Sequence, residues 1–327
     1  MAVHGTAPGE GSLMSADPAF RADVLAGLAA AIPAIPARWL YDRRGSELFE
    51  RITKLPEYYP TRIERSLIER HCRQVARIAG QGDAVVEFGS GSSTKTPILL
   101  EAVDPAAYVP IDISGAFLRD SAAALQQRFP ALPIYPVEGD FMKPIALPAE
   151  IAGMDKLGFF PGSTIGNMVP RTAVDLLRVM KETLGAGAYL LIGMDRLKDV
   201  DVLIRAYDDA AGVTAEFNLN LLHRINAELN GTVPVDAFRH RAIWNDRAAR
   251  IEMHLEAVRD VEFTVDGQPF AFRAGDTIHT ENSHKYGLRD SRLLLRAAGW
   301  GVVEEWTDEA DQFALILAVA EAPRFAP

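Results

Sequence analysis

The sequence contains almost no cysteine, has no excess of basic residues and lacks long apolar runs. Its 327 residues include a single cysteine, Cys72, which excludes an intrachain disulfide and a zinc site built from several cysteines. The 34 Lys and Arg residues face 44 Asp and Glu residues, and the formal charge of -10 argues against a general nucleic-acid binder. No window approaches the ~20 consecutive apolar residues of a membrane-spanning helix. We therefore expect neither nucleic acid nor a membrane as a partner.

Metal-binding and targeting patterns are missing as well. The seven histidines show no H-E-x-x-H or similar spacing, so we expect no metal. Residues 1–17 are rich in Gly, Ala and Ser without a cationic run before an apolar stretch, which is typical of a flexible tail rather than a signal peptide. Cys72 lies in a helical-looking segment, where we expect an inert, partly buried thiol. These features favour a cytoplasmic protein.

The composition that is present belongs to an ordinary globular protein. Hydrophobic residues make up 48% of the chain and charged residues 24%, which excludes a disordered or fibrous protein. At roughly 100–200 residues per domain, the length predicts two domains.

Predicted strands alternate with predicted helices through the middle of the chain. The strands are predicted at 84–88, 108–111, 134–137, 157–160 and 188–194, and the helices at 95–102, 116–128 and 171–184. This alternation indicates parallel βαβ units in a doubly wound, Rossmann-like α/β sheet. A helix at 288–298 and strands at 301–306 and 313–319 return the chain to that sheet.

The remaining segments predict a second unit. Helices are predicted at 20–32, 39–55 and 62–79, the last with Thr61 as its N-cap; residues 199–230 are helical, and 238–258, 261–272 and 277–281 have strand character. The sheet is thus interrupted by an α+β insertion of ~90 residues. We divide the chain into a tail (1–17), N-terminal helices that pack with the insertion (18–61), the sheet domain (62–197), the inserted substrate-binding domain (198–286) and the return to the sheet (287–322).

A glycine-rich loop follows the first predicted strand of the sheet, in Glu87-Phe88-Gly89-Ser90-Gly91. Such a loop lets the backbone approach a ligand at the start of the next helix. A dinucleotide-binding G-x-G-x-x-G fails because residue 94 is Thr, and a P-loop misses at the same position. The third possibility is binding of S-adenosylmethionine (SAM), for which E-x-G-x-G is common. The loop alone leaves these alternatives open.

Acidic residues at two further strand ends favour SAM. Asp112 closes the second predicted strand and Asp140 the third, both on the same edge as the glycine loop. The first carboxylate suits the two ribose hydroxyls and the second the adenine amino group, with Phe141 beside it to pack on the ring. Asp and Gly are also common in ordinary turns, which is the structural alternative.

Several longer segments together resemble the histidine-specific SAM-dependent methyltransferases, which make Nα,Nα,Nα-trimethylhistidine (hercynine) in ergothioneine biosynthesis. The resemblance covers about residues 18–322. The matching segments are Tyr41-Asp42, Gly45–Phe49, Leu55–Arg62, Glu87–Gly91, Gly162–Asn167, Arg205–Ala215, Arg250–Met253 and Glu281–Ser283.

The resemblance implies a role for individual residues. The implied cofactor-binding residues are Gly89, Ser90, Gly91, Lys95, Asp112, Asp140 and Phe141. Asn167 and Tyr207 match residues that hold the substrate carboxylate, whereas Tyr58, Glu281 and Ser283 match residues around the imidazole, with Met253 in the pocket wall. Tyr41, Gly162 and Thr164 match catalytic positions near the amino group. The neighbouring His284 and Lys285 are compatible with surface charges only.

The resemblance therefore implies a SAM-dependent enzyme that trimethylates the α-amino group of L-histidine. We expect a monomer that uses SAM as methyl donor, takes L-histidine as its small-molecule substrate and works by positioning the two reactants. Two alternatives stay open: an N-methyltransferase for another aromatic or histidine-like amine, and a SAM-binding module without turnover.

Overall fold

A computed structural model describes residues 17–80, 83–91 and 95–322 of the chain. Apart from Asp17, the tail expected at residues 1–17 lies outside these ranges, as does Thr94 of the glycine-rich segment. No helix within the described ranges combines the length and the apolar character needed to cross a membrane.

Helices and strands alternate along the described chain. The α-helices are α1 (Pro18–Leu28), α2 (Arg43–Ile52), α3 (Tyr59–Ala79), α4 (Thr96–Val103), α5 (Gly115–Arg128), α6 (Pro170–Leu184), α7 (Val200–Tyr207), α8 (Val213–Glu228) and α9 (Leu288–Ala297). The strands are β1 (Ala84–Phe88), β2 (Ala107–Asp112), β3 (Val137–Glu138), β4 (Lys156–Phe160), β5 (Tyr189–Asp195), β6 (Phe238–Asn245), β7 (Arg250–Ala257), β8 (Val261–Val265), β9 (Gln268–Phe272), β10 (Thr277–His284), β11 (Trp300–Thr307) and β12 (Phe313–Ala320).

A seven-stranded sheet forms the larger unit, with the strand order β11-β12-β5-β4-β1-β2-β3. Strands β1 to β5 run parallel, while β12 pairs antiparallel with β5 and β11 antiparallel with β12. The predicted doubly wound α/β sheet is confirmed. The order reverses between β1 and β4, which is where ligands bind in such sheets, outside the carboxyl ends of the strands.

Alternating side chains of the sheet bury against helices on both faces. On β5, Leu190 and Ile192 pack with residues of α6 and α9, whereas Leu191 packs on the other face with residues of α3 and α4. Strands covered on both faces are almost continuously apolar, as β5 and β12 are.

The inserted unit shares its apolar core with the start of the chain. It contains a three-stranded antiparallel sheet, β10-β7-β6, and the two-stranded pair β8-β9. Phe20 and Trp39, whose rings lie 5.1 Å apart, belong to the same buried cluster as Phe217 of α8 and Met253 of β7. Because the N-terminal segment and the insertion have one common core, they form one wall beside the sheet. The five-part division of the chain remains our proposal.

The helix predicted at 39–55 is wrong as a single element. The structure has a 3-10 helix at Ala37–Leu40, then α2. Asp42 separates the two because its extended backbone and its Oδ1 atom, which accepts from Gly45 N at 2.7 Å, start a new helix. The expected N-cap Thr61 is also wrong, since α3 already begins at Tyr59.

Two further predicted elements need correction. The helical segment at 199–230 is interrupted between Tyr207 and Val213, where Gly212 has a φ of 71° and the Asp209 carboxylate accepts from Val213 N and Thr214 N to cap α8. The strand predicted at 134–137 is interrupted. Ile134 forms an isolated bridge with Tyr108, and the strand itself spans only Val137–Glu138, because Pro136 has no N–H to donate to the ladder.

We expect Leu191→Ala to lower the free energy of unfolding by roughly 2–5 kcal/mol, because it leaves a cavity in the central strand β5. Leu191 has 0% exposure, whereas Leu293 on α9 is 63% exposed and serves as the matched control. Urea denaturation of both variants measures the difference. Equal losses would contradict the assignment of Leu191 to the core.

Candidate active site

A cavity of about 550 Å³ lies between the carboxyl edge of the large sheet and the inserted unit. Every site residue expected from the sequence except Ser283 lines it: Tyr41, Tyr58, Gly89, Ser90, Gly91, Lys95, Asp112, Asp140, Phe141, Gly162, Thr164, Asn167, Tyr207, Met253 and Glu281. Loops after β1, β2, β3 and β4 supply the sheet side, and the N-terminal segment, α7, β7 and β10 supply the opposite side. The cavity therefore brings together site residues that lie up to 240 positions apart in the sequence, from Tyr41 to Glu281.

Hydrogen bonds from the backbone N–H groups of the glycine loop to residues of β2 fix the conformation of the loop. Gly89 N and Ser90 N both donate to Ile111 O, and Gly91 N donates to Asp112 Oδ2 at 2.9 Å. Gly89 and Gly91 have φ angles of 69° and 48°, in the left-handed region that glycine adopts without strain. The Asp112 carboxylate thus fixes the loop through Oδ2 and accepts from Ser114 N through Oδ1, and each oxygen keeps a further lone pair for a ligand.

Asp140 and Phe141 form the next part of the sheet side. Asp140 Oδ1 accepts from Met142 N at 3.0 Å, and Arg38 from the N-terminal segment approaches Asp140 Oδ2 at 3.6 Å. The Phe141 ring lies edge-on against Phe160 and so close to Gly89 that a Cβ there would meet it at 3.3 Å. An apolar ring beside an acidic group is a suitable environment for a planar base that carries an amino group.

Glu64 is a site residue that the sequence analysis missed. It comes from α3, has no exposure, and its carboxylate accepts from Gly162 N at 2.9 Å and from the Lys95 ammonium. Because a fully buried charge is costly unless it is paired, this contact holds both Lys95 and the loop after β4 in place. Glu64 sits in a regular amphipathic helix, so nothing in the local sequence distinguishes it from an ordinary helical carboxylate.

Glu281 is the acidic group on the opposite side of the cavity. It lies on β10 opposite Met253 of β7, and its Oε1 atom accepts from Asn167 Nδ2 at 3.0 Å and from the Tyr41 hydroxyl at 3.2 Å. Both bonds end on Oε1, so Oε2 is the oxygen that a ligand can reach. Burial raises the pKa of Glu281 to about 7.

A close backbone approach places Asn167 against Glu281. The 3-10 helix Thr164–Asn167 packs on β10, where a Cβ on Gly166 would lie 2.9 Å from His284 O. The His284 ring is turned inward, and its Nδ1 donates to Gly166 O at 2.8 Å. His284 is 4% exposed and Lys285 2% exposed, so their interpretation as surface charges is wrong.

Tyrosine side chains and Ser283 complete the inserted side. Tyr58 and Tyr207 pack edge-on with ring centroids 6.0 Å apart, and burial raises the pKa of both, so they remain neutral hydroxyls. Ser283 lies behind Tyr207, with its Oγ 2.6 Å from the Tyr207 hydroxyl. Thr164, expected near the reacting amine, donates to Pro161 O at 3.0 Å.

Aromatic residues that the sequence analysis did not select also line the cavity. Phe49 and Phe217 both pack against Tyr41, at centroid distances of 5.5 Å and 5.4 Å. Phe49 belongs to a segment that carries the family resemblance, so the sequence did contain a signal by which it could have been selected as a site residue. Phe217 lies on α8, which starts at the local cap that Asp209 provides, and no motif in the sequence singled it out.

One cluster with metal-ligating groups lies outside this cavity, at Glu252, His254 and His279. Glu252 Oε1 already accepts from Arg250 and Asn245, and the two imidazole rings are stacked 4.7 Å apart. One ligand atom of each residue lies within 4.8 Å of the others, but the contact of 3.1 Å between Glu252 Oε2 and His254 Nε2 already joins two of these groups to each other.

Comparisons with known proteins cover both sides of the cavity. A family model described as histidine-specific methyltransferase, SAM-dependent, matches residues 20–320. The chain is 41% identical to a histidine N-alpha-methyltransferase of Mycolicibacterium smegmatis over 93% of this chain and 96% of that protein. It is equally identical to a protein of the same name from Mycobacterium tuberculosis, over 92% and 94%. Ergothioneine biosynthesis protein 1 of Neurospora crassa is 31% identical over 84% of this chain and 32% of that longer protein.

The raised pKa of Glu281 predicts a specific pH dependence of stability. A carboxyl group with a folded pKa of about 7 and a usual value of 4.5 favours the folded state when protonated, and this contribution is lost as the pH rises from about 5 to about 8. Relative to Glu281→Gln, the wild type should therefore lose at least about 1 kcal/mol of unfolding free energy over this range.

Denaturant unfolding of wild type and Glu281→Gln at pH 5 and pH 8 measures this loss. Glu262→Gln, which removes an exposed carboxylate on β8, is the control for the substitution itself. A constant difference between wild type and Glu281→Gln would contradict the environment described for Glu281.

Proposed function

Because the chain belongs to the family of SAM-dependent histidine-specific methyltransferases, we propose that it transfers methyl groups from SAM to the α-amino nitrogen of L-histidine. The product would be Nα,Nα,Nα-trimethylhistidine, a step towards ergothioneine, in keeping with the names of its relatives. The observation that carries this proposal is the Oε2 atom of the buried Glu281, which is free to accept an N–H from a ligand inside an otherwise largely apolar pocket.

The sheet side of the cavity fits the methyl donor. Gly89 and Gly91 present a backbone without side chains, and a Cβ on Gly91 would meet no described atom within 4 Å, so the loop leaves room for a ligand. Asp112 has the lone pairs to accept from ribose hydroxyls, while Asp140 and Phe141 can hold the adenine. Lys95, anchored by Glu64, can pair with the carboxylate of the methionine moiety. When bound, SAM supplies an electrophilic methyl group on a sulfonium.

The inserted side fits the imidazole of histidine. Glu281 Oε2 can accept one ring N–H, and the Tyr58 hydroxyl can bond the second ring nitrogen. A carboxylate beside the ring favours imidazolium, which in turn would lower the pKa of Glu281 on binding. Met253 closes the pocket wall beside Glu281.

The α-amino group would lie where the two sides meet. Tyr41, Gly162 and Thr164 line this region, and the Gly162 loop is fixed by its hydrogen bond to Glu64. Asn167 uses one amide N–H on Glu281 and retains the other for the substrate carboxylate, together with Tyr207. Catalysis would then consist of holding a neutral amine in line with the methyl group and excluding water.

We further propose that the protein acts as a cytoplasmic monomer. In support, residues of one chain line both sides of the cavity, so a second copy is not needed to complete it. Light scattering of the purified protein tests the monomer, and fractionation of the source cells tests the location.

Mass spectrometry of the products tests the function directly. Purified protein is incubated with SAM and a mixture of all free amino acids, and we expect a gain of three methyl groups on histidine alone. Methylation of another aromatic amine would replace the substrate assignment, and SAM binding without any product would indicate a binding module.

We expect Asp112→Ala to weaken SAM binding by about 2–4 kcal/mol, because hydrogen bonds to a charged acceptor are lost. Asp112→Asn should keep the hydrogen bond from Gly91 N and should lose less of the affinity for SAM. Calorimetric titration with SAM measures the affinity, with Asp120→Ala, an exposed position on α5, as control. If Asp112→Ala binds SAM as tightly as the wild type, the assignment of Asp112 to the ribose hydroxyls is wrong.

Substitutions at Glu281 should change substrate selectivity. A buried carboxylate penalises an apolar ring because the carboxylate is left unpaired, so Glu281→Ala should lower histidine turnover at least about tenfold, or about 1.4 kcal/mol. Combined with Met253→Val, which widens the wall, it should admit tryptophan or phenylalanine better relative to histidine. The ratio of kcat/KM for histidine and tryptophan is measured in wild type, Glu281→Ala, Met253→Val and the double variant. If the ratio is unchanged while both activities fall, Glu281 stabilises the fold and does not select the ring of the substrate.

A further inference from the structure

Lys285 is a completely buried lysine, and each of its three N–H donors has an acceptor within hydrogen-bonding distance. Its side chain has 0% exposure, and its ammonium lies 2.8 Å from Asp195 Oδ2, 2.7 Å from Ser283 Oγ and 3.1 Å from the Tyr207 hydroxyl. An ammonium has three N–H donors and no acceptor, so these three contacts use its full capacity. A charge that is buried and fully bonded in this way fixes the orientation of its partners.

The contact with Lys285 limits the directions that the hydrogen bonds behind Tyr207 can take. Because Lys285 can only donate, the oxygens of Ser283 and Tyr207 both accept from it. The two hydroxyls are also 2.6 Å apart, so one of them donates to the other. When Ser283 donates to Tyr207, neither Ser283 nor Lys285 uses the Tyr207 proton, which stays available to a ligand in the cavity that Tyr207 and Tyr58 line. A ligand carboxylate, which only accepts, selects this arrangement.

The charges around Lys285 also favour an anionic ligand group. Asp195 is paired with Lys285 and with Lys198, so two ammonium groups surround one buried carboxylate. Although burial opposes ionisation, these two lysines hold the pKa of Asp195 below its usual value. Of these two ammonium groups only that of Lys285 also contacts the Tyr207 hydroxyl, so Lys285 is the positive group that lies directly behind it.

We propose that Lys285 is a positioning residue that, through Tyr207 and Ser283, determines the preference of the site for a substrate that carries an α-carboxylate. This inference rests on the proposed function. Lys285 does not touch the substrate itself, because Tyr207 stands between it and the cavity. It polarises the Tyr207 hydroxyl as a donor and supplies the complementary charge.

The test compares Lys285→Met with Lys198→Met. The first substitution removes the donor to Tyr207 and Ser283 and keeps the length of the side chain. The second removes the other ammonium from Asp195, but its contacts are with Asp195, the Tyr59 hydroxyl and the Arg196 carbonyl. Affinities for L-histidine and for histamine, which lacks the carboxylate, are measured by calorimetry on protein loaded with S-adenosylhomocysteine. KM and kcat for L-histidine are measured with SAM.

We expect Lys285→Met to weaken histidine binding at least tenfold and to raise KM by a similar factor, with kcat within about threefold. Histamine affinity should change by less than about twofold, so the preference for histidine over histamine collapses. Lys198→Met should keep that preference. If Lys285→Met does not fold, Lys285→Gln takes its place, since it keeps a polar group beside Asp195 and Ser283 and removes the charge, and a loss of preference in the same direction is expected.

Two outcomes overturn the proposal and differ from failure of the proposed function. Equal losses of histidine and histamine affinity in Lys285→Met would assign Lys285 a purely structural role, as would an unchanged preference. If instead the wild type binds no histidine, the proposed function falls and the inference falls with it.

Discussion

The arrangement of the site depends on the buried carboxylate of Asp195 at the end of β5. It accepts from the Tyr59 hydroxyl at the start of α3, from Lys198 and from Lys285 beyond β10, while its backbone N–H donates to Ser163 Oγ. A fully buried charge is tolerated only when it is paired and hydrogen-bonded. The sheet, the N-terminal segment and the inserted unit therefore meet around one ionic junction.

From this junction the cavity divides into two chemically different sides. On the sheet side, acidic strand ends and a glycine-rich loop suit a nucleoside with hydroxyls and an amino group. On the inserted side, aromatic rings lie around the buried carboxylate of Glu281, which is held through one oxygen by Tyr41 and Asn167. Because unpaired buried polar groups are costly, this second side discriminates by the hydrogen bonds a ligand can return, rather than by shape alone.

Much of the fold could be predicted because the signals are local. The apolar runs of β1, β4 and β5, each followed by a helical pattern, indicate a parallel sheet without any tertiary information. Errors occurred where a short-range cap or a proline interrupts a segment whose hydrophobic pattern continues on both sides. Asp42 divides one predicted helix, Pro136 shortens a strand, and the cap at Asp209 divides a long helical segment.

For the site, the sequence by itself determined which residue types stand at the strand ends and, through the family resemblance, which positions to examine. Only the tertiary structure decided that Glu281 keeps one oxygen for a ligand, that Glu64 anchors Lys95, and that Lys285 is buried behind Tyr207. The physical reason is that burial and pairing of a charge depend on segments far apart in the chain. A Glu in a helix or a Lys after a strand has the same local pattern whether water or another charge surrounds it.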